Sequence, residues 1–349
     1  MGHRIWALGV AALAAVVMVA GCSPTAPEPG KTTGTTETAK KLKIGVVFDK
    51  GGINDKSFNE SAKAGLDRAA KELGIEAMPV ESHSDSDYEA NLEALVDKKC
   101  DLVIAIGITM QTALQRIAKE HPETKFAIVD GSVKENNVRE LLFKEEEGSY
   151  LVGYIAGKTS KTGKIGFVGG MKLPLIEKFE YGYYAGAKAA NPQIQTLASK
   201  YVGSWDNVDA AKTAATVLFN DGADVVYHAA GLAGLGVIRA AQETGHFAIG
   251  VDSDQDSIAQ GSVLTSMVKR VDEAVFQTIK DLKEGAWSAG SKLYDLKAGG
   301  VGTSAFTYTK DKIGAETLAQ LEEVKKKIVS GETKVPIDKA SFDALTAAK

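Results

Sequence analysis

Three short apolar runs in this chain end on an aspartate: Phe48-Asp49, Val129-Asp130 and Val251-Asp252. Others end on glycine: Ile106-Gly107, Val168-Gly169-Gly170 and Ala230-Gly231. In open α/β sheets, ligands bind beyond the carboxyl ends of the strands. Carboxylates at such ends accept pairs of hydroxyl hydrogens in charge-assisted bonds, so three of them point to a polyhydroxyl or cationic ligand. Taken singly, each aspartate also fits a helix cap or a turn. Two aromatic residues lie nearby in polar, loop-like settings, Phe58 in Asn54–Asn59 and Trp205 in Gly203–Asn207. With so few aromatics (Phe 11, Tyr 10, Trp 3), rings in such surroundings suggest a flat ligand stacked between them. For Phe58, core packing of a first helical turn is the other reading.

Other chemistries fail on spacing. Asp252–Asp256 copies the start of an EF-hand loop, but Ser257 and Val263 stand where glycine and glutamate are required. Gly231, Gly234 and Gly236 have the wrong order for a dinucleotide fingerprint, and there is no P-loop. The five histidines, His83 and His228 among them, show no metal-ligand spacing. No nucleophile motif is present, so neither catalysis, a metal nor a cofactor is expected. The formal charge is −4, from 41 basic and 45 acidic residues, which gives no footprint for nucleic acid.

The elements that would position these residues alternate between short buried strands and amphipathic helices. The apolar runs are Ile44–Phe48, Leu102–Ile106, Phe126–Val129, Ile165–Val168, Val225–Tyr227 and Phe247–Val251. They are β-rich and nearly continuous, as for parallel strands covered on both faces. Helical patterns run over Ser57–Leu73, Tyr88–Val96, Gln111–Lys119, Glu177–Ala190 and Val208–Phe219. Glycine or proline follows each at or soon after its end, apart from the second. Strand–helix repetition over about 300 residues means an α/β fold with two doubly wound parallel-sheet lobes, starting near Lys43 and Lys164. Of the two cysteines, Cys100 reads as a small buried residue.

The N-terminus is an address. A basic start is followed by an apolar run from Ile5 to Ala20, ending Val19-Ala20-Gly21-Cys22. This fits an export signal over 1–21 that resembles the bacterial lipobox, with Cys22 lipidated. A plain signal peptide, or an anchor with a chance cysteine, is the alternative. Residues 22–41 carry almost no large apolar side chain and read as a flexible tether. The protein is therefore expected at the cell membrane, anchored by lipid on its extracytoplasmic face.

The segment Lys43–Asn59 resembles the opening of the basic membrane protein family, the substrate-binding lipoproteins of ABC transporters that include purine nucleoside receptors. Further matches are Phe126–Asp130, Gly166–Met171, Tyr201–Asp206, Ala229–Gly231, Ile249–Gln255 and Val263–Asp272. The resemblance implies a type I periplasmic-binding-protein fold, two lobes closing about a hinge on a nucleoside, with a purine favoured. It also implies the chain crossings that periodicity does not reveal: 42–160 plus 267–292 in the N-terminal lobe, 161–266 plus 293–349 in the other. Carried over, Phe58 and Trp205 would sandwich the base, although the family pattern has phenylalanine at the second position. Asp49 and Asp130 would face the base with Asn59 nearby, and Met110 would add a wall. Asp252 and Lys269 would hold the ribose hydroxyls, with the Gly231 backbone close to the ligand. The partners implied are a membrane permease and the lipid on Cys22, with the protein a monomer. A ligand sensor and a sugar-binding importer component of the same fold are the alternatives.

Overall fold

The computed structural model describes residues 41–347. The expected signal over 1–21, the lipidation site Cys22 and all of the tether but Lys41 lie outside the described residues. Four stretches of chain build two lobes. The first holds β1 (Lys43–Phe48), α1 (Phe58–Leu73), β2 (Glu76–Glu81), α2 (Asp87–Asp97), β3 (Leu102–Ile106), α3 (Gln111–Glu120), β4 (Phe126–Val129) and β5 (Val138–Phe143). The second begins with α4 (Glu145–Thr159), β6 (Lys164–Gly169), α5 (Pro174–Ala190), β7 (Gln195–Thr196) and β8 (Lys200–Tyr201). It continues with α6 (Val208–Asn220), β9 (Val225–Ala229), α7 (Gly234–Thr244), β10 (Phe247–Asp252) and β11 (Val263–Lys269). The third, α8 (Val271–Lys283) and β12 (Gly290–Tyr294), returns to the first lobe. The last holds β13 (Val301–Thr303), α9 (Lys310–Ile313), α10 (Ala315–Val329) and α11 (Lys339–Ala347).

The two sheets have one plan. The first runs β2-β1-β3-β4-β5-β12 with every pair parallel. The second runs β7-β6-β9-β10-β11-β13, with β8 also on β6 and only β13 antiparallel. The strand order reverses between β1 and β3 in one lobe and between β6 and β9 in the other. Such switch points open a crevice at the carboxyl ends of the strands. The central strands are wholly buried, Ile44–Phe48, Leu102–Ile106 and Phe126–Val129 among them, because helices cover both faces.

The chain crosses between lobes at Lys144, at Arg270 and within 295–300. The crossings lie side by side: Lys144 N donates to Tyr294 O at 3.1 Å, and Arg270 N to Gly300 O at 2.9 Å. These points correct the expected boundaries after 160, 266 and 292. The largest change is α4, which lies along α5 in the second lobe. Its glycines explain the placement. A Cβ on Gly153 would meet Tyr183 O at 2.0 Å, and one on Gly186 of α5 would meet Tyr150 O at 2.0 Å. Backbones this close need hydrogen-only side chains on both helices. Periodicity missed α4 because it is buried almost all round, from Glu145 to Gly157.

The close α4–α5 contact yields a stability test. Gly186→Leu forces the two helix backbones apart and is expected to cost about 3 kcal/mol. Chemical denaturation measures it; a loss below about 0.5 kcal/mol would show that the contact yields without strain.

Candidate functional site

The first lobe contributes a carboxylate and a ring. Asp49, one residue past β1, is buried and accepts hydrogen bonds from Lys50 N at 2.7 Å, from Thr109 Oγ1 at 2.5 Å and from the Tyr88 hydroxyl. Burial pushes its carboxyl above the ordinary value, while the two hydroxyls and the Lys50 N–H pull it back. Gly107, at the end of β3 with φ +120°, leaves room for it; a Cβ there would stand 2.9 Å from Asp49 Oδ2. Asp55 folds the entry to α1. Its carboxylate accepts from the backbone N–H of Ser57 (2.9 Å), Asn59 (2.9 Å) and Glu60 (3.0 Å). That cap sets Phe58 and Asn59 at the first turn of the helix.

The second lobe contributes the other ring. Trp205 rests on Gly170, just past β6, where a Cβ would meet the indole at 2.3 Å. Its carbonyl accepts from Ala233 N at 2.9 Å, tying the loop to the helical turn that Gly231 begins with φ +56°. The loop is pinned again where Gly203 N donates to Gly170 O at 2.7 Å.

A charged cluster lies where the lobes meet. Lys269, the last residue of β11, is 1% exposed, and its Nζ stands 2.7 and 2.6 Å from the two oxygens of Asp130. Glu145 Oε1 is 3.0 Å away, and Glu145 Oε2 pairs with Lys178 Nζ at 3.1 Å. Phe58, Phe143 and Phe179 surround the ammonium, with ring centroids 5.4, 4.9 and 5.5 Å from Nζ. Asp252 completes the group and accepts from Ser57 Oγ at 2.6 Å across the lobes. Asp130 and Asp252 both have left-handed backbones, φ +67° and +64°, a conformation that aspartate tolerates better than most residues. Two ammoniums face three carboxylates, and burial in this group raises the pKa of both Asp130 and Asp252. Burial, followed by the negative charge of Asp55 and Asp130, raises the pKa of Asp252 to about 7 against the opposing pull of Lys269 and Ser57. Lys269 stays protonated, its pKa held up by the surrounding acids.

Asp49, Phe58, Trp205 and the group formed by Asp130, Asp252 and Lys269 line one cleft between the lobes, with a cavity volume of about 70 Å³. Of the residues singled out from sequence, Asp49, Phe58, Asn59, Asp130, Trp205, Gly231, Asp252 and Lys269 all line it. Met110 does not. It is fully buried in the core of the first lobe, and its neighbour Ile108 reaches the cleft, because the chain makes a 3₁₀ turn over Ile108–Met110. Asp130 lines the cleft but groups with Lys269 and Asp252, not with Asp49. Sequence reasoning missed Leu175, Ile176 and Phe179, on the first turns of α5. Pro174 at the helix start was the available signal. It also missed Tyr88 and Thr109, which reach the site only through Asp49.

Comparison with known proteins follows this geometry. Residues 41–339 match the family model for ABC transporter substrate-binding proteins that are PnrA-like. The chain is 38% identical to basic membrane protein A2 of Borrelia garinii, over 86% of this chain and 90% of that one. It is 34% identical to the ABC transporter nucleoside-binding protein BmpA of Lactococcus lactis, over 96% and 99%. A solved ABC-transporter solute-binding protein of Aeropyrum pernix superposes with a TM-score of 0.79 at 31% identity, covering 88% of this chain and 96% of that one.

Asp252 makes stability pH-dependent. With its folded pKa at about 7 against an ordinary 3.8, its stabilising contribution is complete below about pH 4 and is lost as pH rises through 7. In the ligand-free protein, the stability of wild type relative to Asp252→Asn is expected to fall between pH 5 and pH 8, measured by denaturant titration. A pH-independent difference would reject the charge surplus.

Proposed function

This chain belongs to the PnrA-like family of ABC-transporter substrate-binding proteins, and we propose on that premise that the ligand it captures is a nucleoside, a purine nucleoside foremost. The family binds its ligand outside the cytoplasm for a membrane permease and does not transform it. Its fold is the type I periplasmic-binding fold. One observation carries the nucleoside reading: a single cleft has an aromatic ring from each lobe and, beside them, an ion cluster built to accept hydroxyls. Phe58 and Trp205 would stack on the two faces of a base, at about 1–3 kcal/mol per stacked face. Asp252, Asp130 and Lys269 would hold the ribose, so Asp130 moves from the base to the sugar. Asp49 and Asn59 would read the base edge. Hydroxyl hydrogens donated to Asp252 would relieve the charge surplus that otherwise favours its protonation. A sugar alone would not need a pair of stacking rings from opposite lobes. We further propose that Cys22 carries a lipid and that the protein acts as a monomer tethered to the membrane.

The test is calorimetry on protein lacking residues 1–22, with adenosine, guanosine, inosine, uridine and ribose. Purine nucleosides are expected to bind at least tenfold tighter than ribose; no nucleoside binding at millimolar concentration sinks the reading. Asp252→Asn, which keeps the left-handed backbone accessible, is expected to weaken nucleosides about tenfold or more while leaving free bases within about twofold. Equal weakening of both would reject the ribose role.

A further inference from the structure

Asp49 is a buried carboxylate, and among the described residues no lysine or arginine forms an ion pair with it. The adjacent ammonium, Lys50 Nζ, is bound to Asp85 at 2.7 Å. The charge of Asp49 rests on neutral donors instead. Lys50 N and the Tyr88 hydroxyl serve Oδ1, and the Thr109 hydroxyl serves Oδ2. A hydroxyl has one hydrogen to donate, so Tyr88 and Thr109 have both committed theirs to this carboxylate. Tyr88 is 2% exposed and sits on α2, behind the cleft wall.

Asn59 has a matching arrangement. Its Nδ2 faces two backbone carbonyls, Asp49 O at 3.1 Å and Lys50 O at 3.5 Å. Turning the amide over would set oxygen against oxygen, so those carbonyls fix its orientation. Asn59 Oδ1 is then a buried acceptor with no partner, on a residue that lines the cleft. Asp49 and Asn59 thus bring acceptors to this end of the cleft, where the one adjacent cation among the described lining residues, Lys50, is held by Asp85.

We propose that Tyr88 and Thr109 are positioning residues that hold Asp49 as an acceptor-only group, and that this end of the cleft thereby selects a base presenting N–H donors over one presenting only lone pairs. The inference rests on the nucleoside reading above. A protonated Asp49 would invert the preference, since its O–H could donate to a ring nitrogen. Burial favours that form, and the three donors oppose it. The other titratable groups near it are Lys50, Asp85 and Tyr88, and the charge of Asp206 reaches Lys50.

The test compares four ligands. Adenosine, guanosine and inosine each carry at least one N–H on the base, and purine riboside carries none. Wild type is expected to bind the best of the first three about tenfold or more tighter than purine riboside. Tyr88→Phe removes one oxygen atom from a buried ring. It is expected to weaken that best ligand about tenfold and to leave purine riboside within about twofold. The loss is expected to be larger at pH 5.5 than at pH 8, because Asp49 protonates more readily without the hydroxyl; a merely structural defect would not discriminate in this way. Thr109→Val acts on the other oxygen in the same direction and serves if Tyr88→Phe does not fold. Equal losses for all ligands, no loss, or purine riboside binding as tightly as the best nucleoside would each overturn the inference. Failure of wild type to bind any of the four removes the nucleoside reading itself, and the inference with it.

Discussion

The site depends on one buried ammonium. Removing a lysine head from water costs several kcal/mol, and Lys269 is stable there only because carboxylates and ring faces replace the water. Those partners come from separated parts of the chain. Asp130 follows a strand of the first lobe, while Glu145 begins the helix just past the first crossing. Lys269 itself ends β11, one residue before the second crossing at Arg270. The cation is thus satisfied by the meeting of the lobes, and it joins the hinge to the polar end of the cleft. Burial, with more negative than positive charge around the ammonium, makes Asp130 and Asp252 hold a proton more tightly than an exposed carboxylate does.

Repetition of one strand order explains how the remaining groups converge. β1 corresponds to β6, β3 to β9, β4 to β10 and β5 to β11. Asp130 just past β4 and Asp252 at the end of β10 therefore stand at the ends of equivalent strands of the two lobes, and both take the same left-handed backbone. The charges of both act on Lys269. At the other equivalent pair, the lobes differ. Asp49 follows β1, whereas Gly170 lies just past β6 and clears space for the Trp205 ring. The charged pair stands at equivalent positions of the two lobes, whereas Asp49 and Trp205 line the same cleft from positions that are not equivalent.

The lobes also touch directly beside the site. Ser253 Oγ donates to Ser57 O at 3.0 Å, and Gln255 Nε2 donates to Lys56 O at 2.9 Å. With the Ser57–Asp252 bond, these contacts link the loop that leads into α1 to the loop that follows β10. The residues that would touch a ligand and those that hold the lobes together therefore share the same few turns. A ligand bound there would thus stabilise the arrangement in which these turns meet.

Much of this was legible in sequence. The runs Leu102–Ile106 and Phe126–Val129 coincide with strands, because parallel strands covered on both faces must be continuously apolar. The strand-end aspartates were visible for the same reason: a carboxylate after such a run has left the covered sheet. Lys269 entered by resemblance alone, since a lysine at a strand end has no local mark of burial. The helix α4 escaped detection because it is buried almost all round and so shows no amphipathic period, and the crossing at Lys144 went with it. Met110 was misassigned because one 3₁₀ turn decides whether it or Ile108 reaches the cleft. Local patterning thus determined which segments are strands and which groups stand at their ends, because burial on both faces leaves a trace in every residue. Only the tertiary structure decided that Asp130 belongs with Lys269 and that Tyr88 stands behind Asp49. Those pairings join residues 139 and 39 positions apart, and long-range electrostatics leaves no periodicity for a sequence to display.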